Sequence, residues 1–307
     1  MIVKQQWQPF PWHPSWQQAL EGSGALPVLG GAWAAQVLIL VQARLESLRF
    51  PEKVMALLLG QPMLLWQLDR LRRVQTPHEL VVALPRTPAS TTALGPLLER
   101  HGYTVRCPDV PPADVLGRFA AVVRDRKPSV VVRVCGDCPL IDPQVIDQAL
   151  ALCAATPGCD YVALAQEWPE GTDCEIIRAS ALLLADSLAR TPSDREHVSP
   201  YLWRQPEVFP QRLLPCPFNL SQHCWSVDTP ADLDALQTIL GSCLWRHGTA
   251  FGWREVYDVL RHAASAGAWA TSRPRNAAFV AQVEAETGSQ AAGDWFAQRY
   301  GEEAWHA

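Results

Sequence analysis

Short, almost continuous apolar runs alternate with stretches of helical spacing from residue 36 to about residue 165. This alternation constrains the fold more than any other feature of the chain. VLILVQ (37–42), ELVVAL (79–84), YTVRC (103–107), SVVVRVCGD (129–137) and DYVALA (160–165) predict strands. Between them LLWQLDRLRRV (64–74), TALGPLLERHG (92–102), ADVLGRFAAVVRDR (113–126) and DPQVIDQALALCAA (142–155) predict helices. Apolar runs this continuous are what a strand needs when both of its faces are covered. Strands alternating with helices imply a mostly parallel sheet between two helical layers. Asp142 followed by Pro143 is a helix start, with an N-cap carboxylate and a ring that needs no amide donor at the first position. Gly102 supplies a helix stop.

Three sections follow from this texture. Residues 1–35 are rich in Trp, Pro, Gln and Gly and form an N-terminal extension. Residues 36–244 hold the α/β domain. Residues 245–307 form a helical C-terminal extension, with segments WREVYDVLRHAA, NAAFVAQVEAE and AGDWFAQRYGEEAW. Hydrophobic residues make up 48% of the 307 positions, enough for a packed core. A net charge of −5 argues against nucleic acid as a partner. No apolar run reaches the roughly 20 residues of a membrane span. Nine scattered cysteines and the lack of a leader-like N-terminus predict a reduced, cytoplasmic protein without structural disulfides.

In an open parallel sheet, ligands bind outside the carboxyl ends of the strands. Three segments fall there. Gln42–Val54 (QARLESLRFPEKV) follows the first strand and carries Arg44, Arg49 and Lys53, with Ser47 and backbone amides as neutral donors. Such a loop suits a polyphosphate, because guanidinium forks match phosphate oxygens; a solvated basic turn is the alternative. It is neither a Walker A loop nor a dinucleotide fingerprint. The second segment, VRVCGDCPLID (132–142), sets Gly136 and Asp137 at a strand tip, where a carboxylate can serve magnesium. Its Cys135-x-x-Cys138 could be redox-active or zinc-binding, but Pro139 follows at once and no second close pair exists. In the third, WSVDTPADL (225–233), HCWSV reads as a short strand ending at Asp228, and Thr229-Pro230 opens a helix.

Together these segments resemble the cytidylyltransferase family, which includes the CMP-Kdo and CMP-sialic acid synthetases, and within it the branch of spore coat polysaccharide biosynthesis protein F. The resemblance runs from about residue 37 to 240 and takes in DVLGRF (114–119), PEGTDCEI (169–176) and DREHVSPY (194–201). It implies a Rossmann-like nucleotidyltransferase fold, a three-layer sandwich that uses CTP and Mg²⁺ to transfer CMP to a sugar acid or related sugar. It implies a nucleotide- and phosphate-binding set of Gln42, Ala43, Arg44, Ser47, Arg49, Lys53 and Gly136. Arg44, Lys53, Asp137 and Asp228 fall on the catalytic positions, and Asp137 and Asp228 on the metal-binding aspartates. Asp173, Glu175 and His197 fall on the acceptor side, and a homodimer is implied. The family's loop carries glycines where this chain has Glu46 and Glu52. Inward-pointing carboxylates there would oppose a triphosphate; paired with Arg44 or Arg49 they would tune the loop. Another nucleoside triphosphate as substrate, or a catalytically quiet binding subunit, are the competing expectations.

Overall fold

The structure, a computed structural model, describes residues 36–47, 49–264 and 277–288. The N-terminal extension and the AGDWFAQRYGEEAW segment lie outside the described residues. In chain order the elements begin with β1 (Val37–Gln42), a two-stranded hairpin of β2 (Leu57–Leu58) and β3 (Gln61–Pro62), and α1 (Met63–Leu71). Next come β4 (His78–Ala83), α2 (Gly95–Arg100), β5 (Thr104–Arg106), α3 (Val115–Arg126), β6 (Val130–Cys135) and α4 (Pro143–Ala155). The second half adds β7 (Tyr161–Leu164), β8 (Glu175–Arg178), α5 (Ala179–Leu188), α6 (Pro192–His197), α7 (Pro200–Trp203) and β9 (Gln211–Leu214). It closes with α8 (Pro230–His247), α9 (Trp253–Ala264) and α10 (Ala277–Thr287).

Seven strands form one sheet in the order β5-β4-β1-β6-β8-β7-β9. β1 runs parallel to β4 and β6, with Val41 opposite both Val82 and Val134. Only β8 is reversed: it lies antiparallel to both β6 and β7. The sequence explains the two-sided burial. Val37, Ile39 and Val41 join one core with residues of α1, α4, α8 and α9; Leu38 and Leu40 join the other, with residues of α3, α5, α7 and α10. Each large apolar side chain so buried contributes about 1.5–3 kcal/mol, which fixes β1 in the middle of the sheet.

Local signals place the ends. Asp114 caps α3 by accepting from Gly117 N at 2.9 Å, and Asp142 caps α4 by accepting from Gln144 N at 2.8 Å. The second oxygen of Asp142 accepts from Trp253 N at 2.7 Å, which ties α9 to the strand-end side of the core. Trp253 packs edge-on against Trp168, 5.4 Å between ring centres. Thr229 and Asp232 form a reciprocal capping box at the start of α8. Two sequence expectations are corrected, and one element is modified. HCWSV is not a strand: it makes a single bridge, Glu170 with Cys224, and otherwise runs as a loop. The helix expected from residue 92 is present and starts earlier: a π-helical stretch over Ser90–Leu94 leads into regular α-helix at Gly95, just before Pro96, which has no amide donor. Glu46 and Glu52 do not pair with Arg44 or Arg49. Both are exposed, and the two arginines pair elsewhere.

Candidate active site

β1 and β6 are adjacent and parallel, so their carboxyl ends open side by side, with Gln42 in register with Cys135. At that seam Gly136 passes so close to β1 that a Cβ would lie 2.7 Å from Gln42 O and 3.1 Å from Ala43 Cβ. No larger residue fits without moving the strand. Buried Gln67 of α1 clamps the same turn: it donates to Cys135 O at 2.5 Å and accepts from Cys138 N at 3.3 Å. Asp137 is thereby held at the sheet edge. Its carbonyl accepts from Val227 N at 2.9 Å, which brings the 225–229 segment alongside although that segment is no strand.

Lys53 stands at the centre. Its ammonium donates to Asp137 Oδ2 at 2.8 Å, Asp228 Oδ1 at 2.8 Å and Val227 O at 2.9 Å. Three segments distant in sequence are joined by one cation. Its side chain is only 13% exposed, and those of Asp137 and Asp228 are 27% and 17% exposed. Burial pulls the lysine pKa down, but the two carboxylates outweigh it together and leave it raised. Lys53 is therefore charged at neutral pH. Arg49 reaches the other oxygen of Asp228 at 3.0 Å, and Arg44 pairs with Glu196 of α6 at 3.2 Å. Both arginines are about half exposed, so these pairs are weakly held and free to exchange for a polyanion. Ser47 donates its amide to Leu45 O within the loop.

Of the expected acceptor-side residues, Asp173 and Glu175 lie around the tip of β6 and His197 lies against α10, each with structural work. Asp173 accepts from Gly171 N at 3.0 Å. Gly171 has φ +95° and sits against Trp225 and Ser226, where a Cβ would come within 2.5 Å of backbone. Glu175 faces Arg133 across the β6–β8 pair and binds both the Arg133 guanidinium and the Tyr161 hydroxyl. Asp173 and Glu175, with Asp137, all act on Cys135, which places them around the tip of β6. His197 is half-buried against α10: its Nε2 shares a hydrogen bond with Gln282 Oε1 at 2.8 Å, and Phe279 packs edge-on at 5.1 Å. Burial lowers its pKa, and Arg133 and Arg44 add to that.

The thiols of the C-x-x-C do not suit redox work. Burial pushes Cys135 up to about 11 and Cys138 well above the usual thiol value. The described cysteines are all unpaired as disulfides, and no cluster of three or more metal-ligating side chains occurs among the described residues. No helix among them is long and apolar enough to cross a membrane.

Sequence reasoning passed over several residues of this region. Arg133 stood out only as a charge inside an apolar strand, which was its available signal. Glu196 and Arg195 lie within the DREHVSPY motif without a role. Arg195 forks onto Asp114 at 2.8 and 2.7 Å and also reaches Asp186, joining α6 to the start of α3 and to α5.

A phosphate-type loop after β1, a Gly-Asp turn after β6, and a second aspartate meeting the first through a lysine define a nucleotidyltransferase. A sequence profile described as "Cytidylyltransferase" matches residues 38–228, and the chain belongs to that family. Among curated proteins it is similar to the spore coat polysaccharide biosynthesis protein SpsF of Bacillus subtilis: 28% identical, over 66% of this chain and 85% of that one. It is 25% identical to a 3-deoxy-manno-octulosonate cytidylyltransferase of a Psychrobacter species, over 61% of this chain and 70% of the other. Among solved structures a cytidylyltransferase from Leptospira borgpetersenii superposes with a TM-score of 0.68 at 24% identity, covering 75% of this chain and 95% of that one. A CMP:2-keto-3-deoxy-manno-octonic acid synthetase complexed with CTP superposes at 0.51 and 16% identity, over 67% and 98%. These likenesses establish the Rossmann-like nucleotidyltransferase fold.

Proposed function

We propose that this enzyme transfers CMP from CTP to a hydroxyl of a sugar acid or related sugar, releasing pyrophosphate, in surface glycan biosynthesis. The convergence of Asp137, Asp228 and Lys53 at the ends of β1 and β6 carries the reading. In the reaction an acceptor oxygen forms a bond to the α-phosphorus, the bond from that phosphorus to the bridging oxygen breaks, and the hydroxyl proton is lost. Arg44, Arg49 and Lys53 lie on one loop and face the departing pyrophosphate, where fixed cations stabilise charge as it develops. Gln42, Ala43 and Gly136 form the close seam on which the nucleotide rests. Ser47 adds a hydroxyl donor. Asp173, Glu175 and His197 face the acceptor, with Glu175 held in place by Arg133 and Tyr161.

Asp137 and Asp228 also fit a divalent cation. They already converge on one cation, the Lys53 ammonium, and magnesium takes one or two carboxylates together with phosphate oxygens and water. When bound, Mg²⁺ would supply Lewis-acid polarisation of the phosphoryl group. The proposal extends to a homodimer, as the family resemblance implies, and to the cytoplasm, where CTP is available. The test is pyrophosphate release from CTP with a panel of sugar acids, for the natural protein and Asp137→Asn. The reading requires CTP-dependent release that falls about 100-fold or more in the variant. Equal release by both would remove Asp137 from the chemistry, and release from another triphosphate alone would replace CTP.

A further inference from the structure

The DREHVSPY motif is the part of the chain that the proposed chemistry uses least. Its first half belongs to α6, and the side chains of that short helix are fixed to several different elements. Ser193 donates to Glu286 of α10 at 2.7 Å. Asp194, 2% exposed, accepts from Thr191 Oγ1 at 2.7 Å and from the Arg204 guanidinium at 2.5 Å. Arg195 binds Asp114 and Asp186, and His197 shares its hydrogen bond with Gln282. Glu196 is turned the other way. Its Oε1 accepts from Arg44 NH2, on the phosphate loop, at 3.2 Å.

The end of α6 is held as firmly. Val198 is fully buried, with φ +72° and ψ −58°. Across it the Ser199 amide donates to His197 O at 2.8 Å, which makes a γ-turn of the strained kind. A β-branched residue keeps such a backbone only where its surroundings over-determine it. Here the Val198 side chain is locked into the core that holds Leu38 and Leu40. Glu196 therefore sits on a helix that cannot turn without breaking its other bonds, two residues before a joint fixed against strain.

Arg44 gives Glu196 one arm only. Among the described residues its guanidinium has no other hydrogen bond or ion pair, so its Nε and NH1 donors remain for a second partner. We propose that Glu196 is a positioning residue for Arg44: it keeps hold of one arm of the fork while the others take a phosphate oxygen. The arginine then meets a polyphosphate with its long side chain already ordered, which removes part of the entropy cost of binding. The inference rests on reading the loop after β1 as a polyphosphate site, whichever nucleoside that polyphosphate carries.

The experiment is titration calorimetry with inorganic tripolyphosphate and with CTP. It compares the natural protein, Glu196→Gln and Glu196→Ala, and repeats both substitutions together with Arg44→Met. Both remove the negative charge, so a general electrostatic change is common to them; only Gln keeps an oxygen for Arg44 NH2. Glu196→Gln should bind tripolyphosphate about fivefold or more tightly than Glu196→Ala. Once Arg44 is replaced, the two should bind alike, because the effect passes through that arginine. Equal binding by Gln and Ala with Arg44 present, or tighter binding by Ala, makes Glu196 a mere competitor for Arg44 and overturns the proposal. A difference that persists without Arg44 overturns it too, since Glu196 would then act by itself. A natural protein that binds no tripolyphosphate leaves Arg44 nothing to be aimed at, and the proposal falls. Tripolyphosphate binding with the expected differences but no CTP binding keeps the proposal and removes the CTP reading instead.

Discussion

Replacing Lys53 by Met leaves Asp137 and Asp228 facing one another without their shared cation. Their oxygens each lie 2.8 Å from the ammonium, so they are separated by at most twice that distance. At an effective dielectric near 20, two unit charges that close repel by about 3 kcal/mol. The lost attraction adds to this, and partial protonation of the aspartates subtracts from it. A net loss of about 3 kcal/mol follows, at the lower end of the range for breaking a buried pair. For a domain of this size that lowers the unfolding temperature by about 5–10 °C. Turnover should fall about 100-fold or more, because the cation facing pyrophosphate is gone. Magnesium gives an internal control: if the two carboxylates are also the metal site, Mg²⁺ should raise the unfolding temperature of Lys53→Met more than that of the natural protein. Scanning calorimetry with and without Mg²⁺, beside pyrophosphate release, reads all three quantities. Lys53→Met with unchanged unfolding temperature and turnover would refute the reasoning.

Three further outcomes follow from the geometry. Gly136→Ala forces a Cβ to 2.7 Å from Gln42 O, so β1 and β6 must part, at a cost of about 1–3 kcal/mol measurable by urea unfolding. Cys138→Ser should retain turnover within a few-fold, and the Cys138 thiol should resist iodoacetamide at neutral pH in the folded protein, since burial keeps it protonated; peptide mass spectrometry reads the labelling. His197 has a folded pKa below its unfolded value of about 6.5, so its neutral form contributes fully to folding above that pH. As pH falls through 6.5 towards the folded pKa, the unfolded chain takes up the proton first and stability is lost. The unfolding-temperature difference between the natural protein and His197→Asn should therefore shrink between pH 7.5 and pH 5.5.

The parts of this fold that were legible in the sequence are those where one residue type has one physical job. VLILVQ and VVVRVC had to be doubly covered strands, and Asp142-Pro143 had to begin a helix. The reversal of β8 was not legible, because an alternating pattern such as CEII carries no direction. The 222–228 segment misled for a related reason. Trp225 and Val227 alternate as in a strand, but their amides go to Glu170 O and Asp137 O, partners that only the tertiary fold supplies. The basic loop and the two aspartates could be named from spacing and resemblance; that Lys53 would bind both aspartates could not.

The ends of β1 and β6 are proposed to form a CTP site completed by a divalent cation. Titration of the purified protein with CTP, UTP, ATP and GTP, each with and without Mg²⁺, tests it most directly. CTP binding should be saturable, strengthen with Mg²⁺ and be lost in Lys53→Met, with the other nucleotides at least about tenfold weaker. Equal binding of all four, or CTP binding untouched by both Mg²⁺ and the loss of Lys53, would contradict it.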